Sequence, residues 1–155
     1  MARTTLSGLL CQGAVATGVE ATDWRDAISA AGGLLMAVGA VTEDYIVRMQ
    51  RVVETHGPYI VVAPGLALAH ARPCRAVLRT GLSLAGLAAP VRFGHPENDP
   101  VRLVIGLAGV DRDRHCAVLA ELTAMLDSPG RLAALHGATT PARVRSLVSA
   151  YDRGR

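Results

Sequence analysis

The chain has 155 residues, half of them apolar, 19% charged and 3% aromatic, with a net charge of +3. That length fits one domain over 1–155, and the apolar share supports a packed core of Val, Leu, Ile and Ala, which excludes a disordered chain. All cations are arginine, and they are scattered without aromatic platforms, so no nucleic acid is expected as a partner.

Residues 1–22 are small and punctuated by glycine, with a strand expected over Ala14 to Glu20. Asp23 reads as an N-cap, with Asp26 at the third helical position, and Ala27, Ile28, Ala31, Leu34, Leu35 and Val38 recur at helical spacing until Gly39. Thr42 opens a second helix with Glu43 and Asp44 in its first turn and a stripe of Tyr45, Ile46, Met49, Val52 and Val53; Gly57-Pro58 stops it. Tyr59 to Val62 reads as a short buried strand, Pro64-Gly65 as a turn, and Leu66 to Leu68 as a second apolar run. A long strand is expected over Val77 to Leu87, covered on both faces because it does not alternate cleanly. Ala89-Pro90 reads as a turn, Phe93 to Pro100 as a polar loop and Arg102 to Val110 as a buried strand. Asp111 or Asp113 caps a helix with the stripe Val118, Leu119, Leu122, Met125 and Leu126. Ser128-Pro129 and Thr140-Pro141 open a short helix ending near Gly137 and a last one running to about Tyr151, with a frayed tail from Asp152. Helices alternating with strands predict an α/β layer fold with helices on both faces of one sheet.

No long apolar run follows the single charge near the start, and no apolar stretch reaches a bilayer span, so neither a signal peptide nor membrane insertion is expected. Cys11, Cys74 and Cys116 are odd in number and lack Cys-x-x-Cys spacing, which reads as reduced thiols in the cytoplasm.

The stretch that carries chemistry ends at His70. An imidazole at the mouth of a buried strand, followed at once by Ala71-Arg72-Pro73, is an odd thing to place in a core. Pro73 biases Arg72 away from helix, so the chain leaves the sheet extended with a cation two residues past the imidazole. An ordinary imidazole is largely neutral near pH 7, so a ring nitrogen can attack phosphorus without a separate base.

The segment Ile60-Val-Val-Ala-Pro-Gly-Leu-Ala-Leu-Ala-His-Ala-Arg-Pro73 resembles the active-site segment of type 2 IIA domains of the bacterial sugar phosphotransferase system. This is the mannitol/fructose-like class, with the ascorbate-type branch closest. Pro90-Val-Arg-Phe-Gly-His-Pro-Glu-Asn-Asp-Pro-Val101, then Leu103-Val-Ile-Gly-Leu-Ala108 and His115, extend the resemblance over roughly residues 15–150. One departure is Ala69, where the family usually has Pro, which leaves the backbone there less constrained. The resemblance implies a mixed sheet of about five strands flanked by helices. It implies a phosphocarrier that takes a phosphoryl group from phospho-HPr onto His70 and passes it to a cysteine of a IIB component. A separate membrane IIC permease would then move a sugar of the ascorbate or pentitol kind. A regulatory relative of the nitrogen type, or a IIA-like copy recruited to another role, is the alternative, since each would use His70.

His115 falls just inside its helix, one turn before Leu119, and so points inward. In the resembling family a histidine at this place lies beside the active one, which would make His115 a holder of the phosphoryl group together with the amides of the helix start. Otherwise it is a half-buried capping histidine. Arg72 would neutralise phosphoryl oxygens or be solvated; Asn98 and Asp99 would support the site or simply form a turn. His95 is expected only near the site, and His56 and His136 close helices, where a cation is favourable. A metal set of His70, Cys74, His95 and Asp99 matches no standard zinc spacing, so no metal and no cofactor are expected. A metal or thiol hydrolase would have to ignore both motifs, and nothing marks the cysteines as activated. Without lysine there is no Gly-x-x-x-x-Gly-Lys loop for ATP.

Overall fold

The computed structural model describes residues 5–10 and 13–154; Cys11 lies outside them. The expected strands near Ala14, Leu66 and Arg102 form as β1 (Val15–Val19), β3 (Leu66–His70) and β5 (Val101–Ala108). With β2 (Val61–Ala63) and β4 (Gly81–Val91) they make one sheet of five strands in the order β1-β4-β5-β3-β2. The sheet is mixed: β1 with β4 and β3 with β5 are parallel, while β4 with β5 and β2 with β3 are antiparallel.

Helices α2 (Trp24–Ala37) and α3 (Glu43–His56) lie on one face. Helices α4 (Arg112–Leu126), α5 (Pro129–Gly137) and α6 (Pro141–Arg153) lie on the other, with a short α1 (Leu6–Leu9) that sequence periodicity did not reveal. Their starts follow the expected capping chemistry. Asp23, Asp111, Ser128 and Thr140 each accept from the amide three residues on, whereas Thr42 makes no such bond. Helix α6 continues past Tyr151, and Asp152 is not frayed: its carboxylate accepts from the amides of Leu6 at 3.2 Å and Ser7 at 2.8 Å. Among the described residues no helix is long and apolar enough to cross a membrane.

Strand parity decides what each face receives. Along β3, Leu66 and Leu68 enter the α4–α6 core, and Ala67, Ala69 and Ala71 enter the α2–α3 core. Small alanines let α2 and α3 approach closely. The same alternation carries His70 toward α4. Gly106 on β5 serves the close packing too, because a Cβ there would come within 2.5 Å of the Ser83 hydroxyl. That hydroxyl is fully buried and donates to the Ala31 carbonyl at 2.7 Å.

Other elements depart from expectation. Tyr59 precedes β2 instead of opening it, and Tyr59 and Val62 are half exposed because β2 is an edge strand. Val77 contributes only an isolated bridge to Val41, and β4 begins at Gly81. Ala89-Pro90 does not turn the chain. It sits inside β4, in an exposed irregularity between the pairs Gly86–Leu103 and Val91–Val101, where a missing amide costs no ladder bond.

Candidate functional site

His70 ends β3 beside Leu107, near the end of β5. Its Nδ1 lies 2.7 Å from the carbonyl oxygen of Leu68. A carbonyl only accepts, so Nδ1 carries the proton and donates, and the lone pair is on Nε2. The backbone just beyond is clamped from the opposite face of the sheet. The hydroxyl of Tyr45 accepts from the amide of Ala71 at 3.0 Å and donates to the carbonyl of Leu107 at 2.7 Å, with the Ala71 carbonyl at 3.1 Å as a second, longer acceptor. Tyr45 is wholly buried, and burial pushes its phenol up to about 12, so the hydroxyl keeps its proton. This clamp holds the strand end next to Ala69, the position without the usual proline.

Helix α4 brings in His115. A Cβ on Gly109 would lie 2.6 Å from the Cβ of His115, so the missing side chain is what lets the helix start close against the end of β5. The centroids of the His70 and His115 rings are 5.7 Å apart with planes inclined at 47°. Burial and then the neighbouring His70 hold the His115 imidazole below the usual histidine range, which keeps it neutral. Its Nδ1 is buried without a hydrogen-bond partner among the described residues. At the helix start two amides are occupied by Asp111. The Asp111 carboxylate takes the amide of Arg114 at 2.8 Å, and its carbonyl takes that of His115 at 3.0 Å. Arg112, His115 and Cys116 are the residues of α4 that line the cleft.

Both histidines line an open cleft of about 760 Å³, with Arg72 and Arg112 on its walls and, among the described residues, no Asp or Glu. Tyr59 stands edge-on to His70 at 6.1 Å and to His56 at 6.4 Å. Cys116, exposed on α4, also lines the cleft. Of the expected residues the fold therefore gathers His70, His115 and Arg72. Sequence reasoning missed Arg112, although its place three residues before His115 puts the two on one helical face. It also set His56 aside as a helix end and passed over Tyr59; no local signal marks them, since only packing of α3 and its exit beside β3 brings them there.

Asn98 and Asp99 do not join the cleft. Asn98 accepts from the Gly65 amide at 2.9 Å through its carbonyl and donates to Val61 through its side chain at 3.3 Å. Gly65 precedes the start of β3, so this loop lies at the other end of the strand from His70, ~13 Å away for four strand steps. The Asp99 carboxylate accepts from the amides of Phe93 and Gly94, and His95 accepts from those of Glu97 and Asn98. These residues build the loop. The imagined metal set is split in the same way, and among the described residues no group of three or more His, Cys, Asp or Glu is placed to hold a metal.

The sequence pattern of the family described as "Phosphoenolpyruvate-dependent sugar phosphotransferase system, EIIA 2" matches residues 9–151. The chain belongs to this family. The IIA component SgcA of Escherichia coli (strain K12) is 37% identical over 130 residues, covering 84% of this chain and 91% of that protein. An ascorbate-specific PTS system EIIA component of Shigella boydii serotype 4 (strain Sb227) is 44% identical over 96 residues, 62% of each chain. Among solved structures, the IIA mannitol enzyme of Escherichia coli, in complex with phosphorylated IIB mannitol enzyme, superposes with a TM-score of 0.79 at 27% identity, covering 91% of this chain and 97% of that one. The chain is thus a type 2 IIA component of the sugar phosphotransferase system, with the mixed α/β fold that its sequence resemblance implied.

Proposed function

We propose that the chain is a phosphocarrier: His70 accepts a phosphoryl group from phospho-HPr and gives it to a cysteine of a IIB component, in uptake of a sugar of the ascorbate kind. The observation that carries this reading is the fixed tautomer of His70 at the edge of a cationic cleft. The Nε2 lone pair attacks phosphorus, an Nε2–P bond forms, and the bond to the donor atom breaks, returning its electron pair to the donor. The ring then carries positive charge, and the Nδ1–H bond to the Leu68 carbonyl strengthens as it develops. In the second step a IIB thiolate attacks the same phosphorus; the P–S bond forms, the N–P bond breaks, and the imidazole is neutral again. Arg72 and Arg112 neutralise the equatorial oxygens, and neutral His115 donates a hydrogen bond without competing as a cation. The ascorbate-specific relative supports the substrate class, and the IIA–IIB complex of the mannitol enzyme supports the acceptor.

The test is reconstitution with phosphoenolpyruvate, enzyme I and HPr. One acid-labile phosphoryl group should appear on the chain, and His70→Ala should carry none while keeping its circular dichroism and melting transition. Equal label in that variant would show that another residue is the acceptor.

A further inference from the structure

The cationic surface does not stop at the His70 cleft. A second groove of about 450 Å³ continues from it between α3 and the segment 71–74, sharing His56 and Arg72 as a common wall. Its far side is a single face of α3: Arg48, Arg51 and Thr55 follow one another at helical spacing. Among the described residues no Asp or Glu lines it. Arg48 is tied to Asp44 at 2.9 Å on its own helix, but Arg51 and Arg72 have no ion pair among the described residues.

Like charges gathered without counter-charges repel, and such an arrangement raises the local concentration of anions. A phosphoryl group on His70 needs only the cleft around that ring, so the groove's charge addresses something larger. Once His70 is phosphorylated, the added negative charge cancels much of the attraction around His70 itself. The α3 groove lies beside it and stays positive. We infer that this groove, with Arg51 and Arg72 as its free cations, seats a carboxylate-bearing segment of the IIB acceptor. The inference rests on the phosphocarrier reading above. It adds the chemical character of the partner's docking surface and predicts that docking is steered by charge.

Two arms test it. In the first, transfer from the labelled chain to its IIB component is followed by rapid quench over a range of salt, for Arg51→Glu and for Arg143→Glu. Arg143 is exposed at the start of α6, on the opposite face of the sheet from α3, and gives the same change in net charge. Arg51→Glu should lower the second-order rate constant about 10-fold at low salt and flatten its salt dependence, with the rate at saturating IIB unchanged. Arg143→Glu should leave both as they are. Equal effects of the two variants, faster transfer in Arg51→Glu, or slowing confined to the phospho-HPr step would each overturn the inference. In the second arm, hexaglutamate is titrated into the unphosphorylated chain and amide shifts are recorded. They should concentrate on α3 and residues 71–74 and vanish in Arg51→Glu; shifts spread over all the arginines would overturn the inference. A chain that never accepts phosphate defeats the phosphocarrier reading instead, and the peptide arm still decides the groove.

Discussion

The two ends of β3 make opposite use of similar residues. Both carry histidines, and both belong to segments that mark the family resemblance. At the Leu66 end the polar groups close on one another: Asp99 holds Phe93 and Gly94, His95 holds its own turn, Asn98 holds Val61 and Gly65, and His136 reaches the Pro64 carbonyl at 2.9 Å. Of the buried side-chain atoms there, only Nδ1 of His136 is left without a partner among the described residues. At the His70 end the polar groups face open space. Among the described residues Arg72 and Arg112 line the cleft without a carboxylate beside them, and the free lone pair of His70, the proposed nucleophile, borders a wide cleft. Internal satisfaction marks the loop end, and open polar groups mark the end where the reactive site is proposed. A distinctive loop sequence does not by itself separate the two.

The sharpest way to break this contrast is to remove one histidine from each end. His70→Ala should abolish phosphorylation, whereas His95→Ala should accept label as fast as the parent, since its partners are the exposed amide of Glu97 and the part-buried amide of Asn98, both within the loop and away from the cleft. Loss of labelling in the His95 variant, with its fold intact, would move the loop into the site.

The next effect is at His115. His115→Ala should still be labelled on His70, but onward transfer to IIB should slow by roughly 10²–10³, the usual loss for one donor in a preorganised site. A variant that cannot accept label at all would show that His115 is needed for acceptance. Unchanged transfer would return it to the status of a half-buried helix residue.

Stability should respond in the opposite sense. Asp99→Ala strips the amides of Phe93 and Gly94 of their acceptor and should cost about 1–3 kcal/mol in urea unfolding, without changing the phosphorylation rate per folded molecule. Tyr45→Phe should cost a similar ~1–3 kcal/mol, because the buried Ala71 amide loses its acceptor. It differs from Asp99→Ala in lying under the proposed reactive end, so its transfer rate should fall as well. A destabilised Tyr45 variant with an unchanged transfer rate would reduce the clamp to a packing device.

The smallest effect is in pH. The His115 pKa is depressed in the fold, mainly by burial, so below about pH 6.5 the unfolded chain binds this proton more readily than the native one. That contribution to stability is full above the unfolded pKa and is lost as pH falls through it and on toward the folded value. His115→Asn should flatten the acid limb of the stability curve modestly, because the ring is only part-buried. An identical acid limb would mean that the ring is freely solvated.

Local chemistry made much of this molecule legible. Capping residues sit next to their own helix starts, so Asp23, Ser128 and Thr140 announced α2, α5 and α6. Alternation along Leu66–His70, broken by a histidine and followed by Arg72-Pro73, announced the strand and pointed to the end where the reactive site is proposed. Helix α1 escaped because a single turn has no period to detect, and Pro90 misled because an irregular strand tolerates a proline that a regular ladder would not. The assembly of the cleft was not local. His115, Arg112, His56 and Tyr59 reach His70 only because a parallel β3–β5 pair aligns two strand ends and α3 and α4 start or stop beside them. The loop at 93–99 was sent to the other end of the sheet by the same pairing. Sequence alone determined the strand, its histidine and the caps, because those depend on neighbours within a few residues. Tertiary structure decided which distant side chains share water with that histidine, because strand order and register depend on contacts between segments far apart in the chain.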